Sequence, residues 1–180
     1  MSTCNLSAGR QEVCKDSVGG LQGVYFINFQ SGSFTKNADG EVTDLTGQTV
    51  YYYELKGTSA YTETVNSSRE NGTTFFSQET TLNLKKLTNE MTTQLKLLAA
   101  GRPQIIVWTN AGDALLVGEQ HGADLTAGTI QTGGALGDLY GYSLTFTGTE
   151  KGPARFISGS TATAPFDGLP LADRPAIVYS

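Results

Sequence analysis

Ala60-Tyr61-Thr62-Glu63-Thr64-Val65-Asn66-Ser67-Ser68-Arg69-Glu70-Asn71-Gly72-Thr73-Thr74-Phe75-Phe76-Ser77-Gln78-Glu79-Thr80-Thr81-Leu82-Asn83-Leu84 decides the fold class. Two runs rich in Thr, Tyr, Phe and Val flank Asn71-Gly72, and branched or aromatic side chains suit a pleated surface. Asn-Gly between such runs is a strong hairpin signal. A two-residue loop there sets Ser68 opposite Phe75, Thr64 opposite Glu79 and Tyr61 opposite Leu82. Most of these pairs are polar on both faces, so the hairpin over 60–84 reads as a long polar arm. At about 3.4 Å per residue it reaches about 30 Å and buries too little apolar surface to stand alone. It needs neighbouring strands, from the same chain or from another copy. If they come from another copy, the contact residues are Tyr61, Glu63, Val65, Asn71, Gly72, Phe75, Phe76 and Thr80.

Strand signals continue on both sides of the hairpin. Leu21 to Phe29 is almost unbroken in β-formers, as expected of a strand buried on more than one side. Ser33 to Lys36 and Glu41 to Leu45 flank Asn37-Ala38-Asp39-Gly40, a second hairpin signal. Thr49 to Lys56, Gln104 to Thr109 and Ala114 to Val117 read as strands, the last two joined by a turn at Asn110-Ala111-Gly112-Asp113. Leu139 to Thr149 alternates through Tyr140, Tyr142, Leu144 and Phe146, the pattern of a half-buried strand. One helix is predicted, Asn89 to Ala100, with Thr88 as N-cap, Glu90 in the first turn and Gly101 followed by Pro103 at its end. Met91, Leu95 and Leu98 form its apolar stripe, expected to pack on the strand carrying Tyr142, Leu144 and Phe146. The organisation expected is an N-terminal arm over 1–20, a single mainly β domain over 21–157, and an irregular tail over 158–180. That tail must be docked or mobile.

At 180 residues the chain has the size of one domain. Hydrophobic residues make up 38% and charged residues 16%, with 22 glycines, so neutral polar residues fill the difference. Low charge argues against disorder, and Thr, Tyr and Gly enrichment argues for an all-β fold with many turns. With 12 basic against 17 acidic residues the net charge is −5, and no basic cluster exceeds Lys85-Lys86. Tight nucleic-acid binding is therefore not expected. The longest apolar runs, Ile105 to Trp108 and Ala114 to Val117, fall far short of a membrane-spanning helix. The first residues show no secretion signal, so synthesis and folding in a cytosol are expected. In that compartment Cys4 and Cys14 are expected to stay reduced, and two thiols do not complete a metal site.

The familiar catalytic and cofactor motifs are missing from the sequence, and no cofactor is expected. Ser33-Phe34-Thr35-Lys36 fits a serine-nucleophile pattern, but no Ser-Asp-Asn follows and Lys56-Gly57-Thr58 stands out of order. The only histidine, His121, stands near Glu119 and is a formal general-base candidate; an exposed loop histidine is the simpler reading. Asp113, Glu119 and Asp124 lack the spacing of a calcium loop and read as solvated turn acids. The sequons at Asn5, Asn66 and Asn71 read as turn and strand composition. Tyr51-Tyr52-Tyr53, or Trp108, could stack on a sugar, although three consecutive tyrosines on a strand face both ways.

Cys14-Lys15-Asp16-Ser17-Val18-Gly19-Gly20-Leu21 with Val24-Tyr25-Phe26 resembles the opening of small structural proteins of tailed bacteriophages, crAss-like phages among them. A second series resembles the same group: Gln94 to Pro103, Val107, Asn110-Ala111-Gly112, Leu116-Val117-Gly118, Leu125-Thr126-Ala127-Gly128, Gly137 to Tyr142 and Phe146 to Glu150. Together they span more than half of the chain. The resemblance implies a tail-tube-like β-sandwich or barrel with one packed helix, in a non-enzymatic virion protein. Such a protein forms rings or a tube at the tail or head-tail junction, a conduit for DNA ejection. The implied partners are further copies in a cyclic hexamer or dodecamer, adjacent portal, neck or tail proteins, and DNA that passes without tight binding. Assembly would take place in the host bacterial cytoplasm, with no membrane involved. The contrasting expectations are a monomeric β-sandwich module that binds carbohydrate or another ligand, and a small hydrolase built around Ser33 or His121.

Overall fold

The computed structural model describes residues 6, 8–12, 14–32 and 34–179. Its elements are β1 (Leu21–Ile27), β2 (Thr49–Glu54), β3 (Ala60–Ser68), β4 (Thr73–Lys85), α1 (Asn89–Ala100), β5 (Gln104–Thr109), β6 (Ala114–Val117), β7 (Asp124–Gln131), β8 (Gly141–Glu150), β9 (Arg155–Phe156) and β10 (Ala176–Val178). They form a six-stranded sheet, β10-β2-β1-β5-β6-β9, and a four-stranded sheet, β3-β4-β8-β7. The fold is mainly β, a sandwich with one helix, as the sequence pattern leads one to expect. Among the described residues no helix is long and apolar enough to cross a membrane.

The six-stranded sheet is buried on both faces. Val24 and Phe26 of β1, with Ile105 and Val107 of β5, meet Leu82, Leu144 and Phe146 of the other sheet in an inner core. Tyr25, Ile27, Ile106 and Leu116 point the other way, into a second core closed by Val42, Leu45, Ile157, Phe166 and Leu169. Because consecutive residues alternate faces, a strand covered on both sides needs apolar residues at every position. That accounts for the unbroken run in β1.

The hairpin pairs in a different register from the one expected. Ser68 stands opposite Thr73, Thr64 opposite Ser77 and Tyr61 opposite Thr80. The loop is four residues, Arg69 to Gly72. A two-residue loop of the mirror-image type needs positive φ at both positions, whereas only Gly72 adopts it, at 62°. Ser68 Oγ fixes the longer loop by accepting the Asn71 N–H at 3.3 Å. The displacement is two residues, so each side chain keeps its face. The hairpin also finds its neighbour within the chain: β4 pairs with β8 from Phe76 to Lys85.

The helix occupies the expected residues, with Thr88 Oγ1 accepting the Met91 N–H at 3.2 Å. Gly101 ends it at φ −100°, an ordinary extended conformation. Met91, Leu95 and Leu98 pack against the inner core but remain partly exposed, and α1 has no buried residue. The stripe therefore leans on the sandwich edge. Tyr142 ties it down, its hydroxyl donating to Thr88 O at 3.0 Å and meeting Thr92 Oγ1 at 2.8 Å.

Residues 158–180 are docked along the second core. Trp108 Nε1 donates to Thr161 O at 2.9 Å, and β10 adds in parallel to β2. Gly159 and Gly168 let two backbones touch, since a Cβ at Gly168 would lie 2.3 Å from Gly159 Cα. The described residues before Leu21 are exposed and form no strand. Cys14 is exposed, while Cys4, Asn5 and Ser33 lie outside the described residues. The expected hairpin at 33–45 is a turn closed by one bridge, Lys36 to Val42, with Asn37 Oδ1 accepting the N–H groups of Asp39 and Glu41.

Candidate functional site

The contact residues expected on the hairpin divide by face. Tyr61, Glu63 and Val65 lie opposite Thr80, Gln78 and Phe76, all on the side that continues into the inner core. Thr80 is fully buried within its own chain, which removes it as a surface contact, whereas Tyr61 is half-buried. Burial, and then the nearby Glu63 carboxylate, push Tyr61 well above the usual tyrosine range. Glu63 Oε1 is held by Gln78 Nε2 at 2.9 Å and by the Ala154 N–H at 3.0 Å. Val65 and Phe75 are exposed, as are Asn71 and Gly72 at the turn.

A polar seam continues from Gln78. Its Oε1 accepts the Gly118 N–H at 2.9 Å, and Gln104 Nε2 donates to Glu119 O at 2.7 Å. Buried Glu119 lies 2.5 Å from Lys36 Nζ, with Arg155 Nε 3.9 Å from its other oxygen. Buried Glu150 accepts the N–H groups of Gln120 and His121 through Oε1, while Oε2 lies 3.0 Å from His121 Nδ1. The histidine partner is thus Glu150, 29 residues along the chain, and not the neighbouring Glu119 that the sequence suggests. The Lys36 ammonium offsets the charge of Glu119, and these hydrogen bonds satisfy the buried Glu150 carboxylate, either of which would otherwise be costly. They fasten the 118–122 turn to β4 and β8 beside a cavity of about 190 Å³. Among the described residues no group of three or more His, Cys, Asp or Glu side chains is placed to hold a metal ion.

The outer face of the four-stranded sheet has a different character. On it Asn83 faces Ser143, Thr81 faces Thr145, Glu79 faces Thr147 and Ser77 faces Thr149. Thr62 and Thr64 extend the rows on β3, and Thr129 extends them on β7. The result is a solvent-facing field of hydroxyl and amide groups with few charges. Both edges of this sheet are open, and because each neighbouring pair is antiparallel, β3 and β7 run opposite to each other. Neither edge strand contains Pro or Lys, two common edge protections; β7 does carry one register irregularity, between Leu125 and Ala127. Apart from Leu125, every residue of β7 is exposed, Ile130 included. Beyond it the 132–140 loop presents a fully exposed Leu136, braced by Asp138 Oδ2 accepting the N–H groups of Gly134 and Ala135 at 2.8 Å.

The three tyrosines divide as a strand requires. Tyr51 and Tyr53 line a groove of about 450 Å³ beside Leu97, Leu98 and Arg102. Tyr52 crosses to the opposite face, where its ring lies so close over Gly23 that a Cβ there would come within 2.6 Å. There it joins Trp108 in a cleft of about 320 Å³. The two candidate stacking residues thus come together, with Tyr25, Phe166 and Tyr179 beside them. Compared with models of known protein families, with curated proteins and with solved structures, the chain matches none.

Proposed function

We propose that this chain is a non-enzymatic structural subunit of a tailed-phage virion, which joins copies edge to edge into a ring or tube of the tail or head-tail junction. The observation that carries the reading is the pair of open edges, β3 and β7, on one sheet. Their opposite directions let β7 of one copy meet β3 of the next as an antiparallel pair, so that unpaired N–H and C=O groups are satisfied and the sheet continues. Such a contact is head-to-tail, and it closes when the rotation per subunit divides a full turn. Loop Leu136 and exposed Ile130 supply apolar surface to bury beside the new ladder. The order of sequence features resembling small phage structural proteins supports the same reading.

The hydroxyl-rich outer face suits the wall of a conduit. DNA slides past a surface only if few cations hold its phosphates, since each Lys or Arg contact adds affinity through counterion release. Glu79 and Asp124 stand on that face, whereas Glu63 is turned inward. Light scattering and negative-stain imaging of the purified chain test the proposal. Rings are expected, with DNA binding no tighter than about 10⁻⁴–10⁻⁶ M at physiological salt. Thr129→Pro and Ile130→Pro are to be made separately, because adjacent residues point their N–H groups to opposite sides of a strand and one of the two spares the β8 ladder. The variant that stays folded is expected to be monomeric; rings of unchanged size from it would refute the edge contact.

A further inference from the structure

We propose that the cleft between β1, β2, β5 and the C-terminal segment binds a neutral pyranoside, a sugar ring. The inference is independent of ring assembly. Buried Tyr25, Trp108 and Phe166 form its floor, and the rings that keep an accessible face are half-buried Tyr52 and exposed Tyr179 at its mouth. Its volume of about 320 Å³ lies at the small end of ligand sites, which run from about 300 to 1,000 Å³.

The polar groups decide the chemistry. Arg174 donates Nε–H to Leu169 O at 3.0 Å, Nη1–H to Asp167 Oδ1 at 3.0 Å and Nη2–H to Asp167 O at 2.8 Å. A guanidinium carries five N–H groups, so these bonds leave one on each terminal nitrogen. Asp167 keeps its second carboxylate oxygen. Two donors beside one acceptor match adjacent hydroxyls, each of which both donates and accepts. A cationic ligand would meet Arg174, and an anionic one would meet Asp167 and the electron-rich ring faces. A neutral ligand avoids both conflicts.

The ring geometry narrows the class further. Tyr25 and Tyr52 are inclined at 38°, Tyr25 and Phe166 at 67°, and Tyr52 and Tyr179 at 70°. With centroids 4.8, 5.1 and 5.6 Å apart these rings pack on one another and leave no slot for a flat base between them. A puckered ring can instead lay its C–H face on the accessible side of Tyr52 or Tyr179, with its hydroxyls toward Arg174 and Asp167 on the same lining. The indole N–H of Trp108 is committed to Thr161 O, so Trp108 contributes shape and apolar area only.

Trp108 is the only tryptophan, which makes its fluorescence a reporter of this cleft. The purified chain is to be titrated with the methyl pyranosides of glucose, galactose, mannose and N-acetylglucosamine, and with maltose, cellobiose and lactose. A saturable change with a Kd of about 1 mM or tighter is expected for at least one. Tyr179→Ala and Asp167→Asn, both at exposed positions, should each weaken it about tenfold with the melting curve unchanged. Absence of saturation by every sugar at about 10 mM would overturn the proposal. So would undiminished affinity in both variants, or a response to phosphate or tetramethylammonium in place of the sugars.

Discussion

The two sheets of this sandwich solve the same problem in opposite ways. The six-stranded sheet is sealed on both faces, by the inner core on one side and by the C-terminal segment on the other. The four-stranded sheet is sealed on one face only and leaves Thr, Ser and Asn side chains of the other in water. Both sheets thus share the inner core, but only the four-stranded one keeps a face in water. Under the proposed assembly, the hydroxyls flanking each edge keep it hydrated until a second copy pairs with it.

If this division is right, the largest loss comes from uncovering the sealed sheet. Phe166→Ala removes a ring 4% exposed that packs on Tyr25 at 5.1 Å. A cost of about 3–5 kcal/mol is expected in urea unfolding; a loss under about 1 kcal/mol would show the C-terminal segment to be an ornament. Neighbouring residues of β8 give the next test. Leu144→Ala, on the buried face, should cost about 2–5 kcal/mol, and Thr145→Ala, on the open face, should stay within about 0.5 kcal/mol. Equal effects would erase the distinction between the faces.

The helix is expected to give a smaller effect. Leu95 is only partly buried, so Leu95→Ala should cost about 1 kcal/mol, the middle of the range for ordinary substitutions. A value near that of Leu144→Ala would place α1 inside the core. The smallest effect concerns alkaline pH. Burial raises Tyr25, Tyr53 and Tyr61 above the ordinary value of 10.0. Their neutral forms are favoured in the folded state, so this contribution is complete below pH 10 and declines as pH rises above it, where the unfolded chain ionises first. Thermal melts should be level approaching pH 10 and fall beyond it, less steeply in Tyr61→Phe. An equally steep fall in that variant would remove Tyr61 as a contributor.

What the sequence revealed follows the same division. β1 was legible because a doubly buried strand is apolar throughout, and β8 because a half-buried one alternates. The helix was legible from Thr88 to Gly101 through its cap and spacing. The hairpin register was not, because Asn71-Gly72 signals a turn without stating how many residues precede it. β7 resembled a Gly-rich loop, since Gly128 and an exposed run of small residues carry no apolar alternation. Phe166, Leu169 and Tyr179 were hidden among prolines and small residues, where only the second core supplies a reason for them. The Glu150–His121 pair joins parts of the chain that no local pattern connects.

Hydrogen exchange followed as a function of protein concentration tests the division most directly. The amides of β1 and β5 should be protected at every concentration, because both strands are interior to the sealed sheet. Those of β3 and β7 that face away from their ladders should exchange rapidly in dilute solution and gain protection together as copies assemble. Assembly that leaves both edge strands unprotected, or protection that appears in β10 and β9 in their place, would contradict the account.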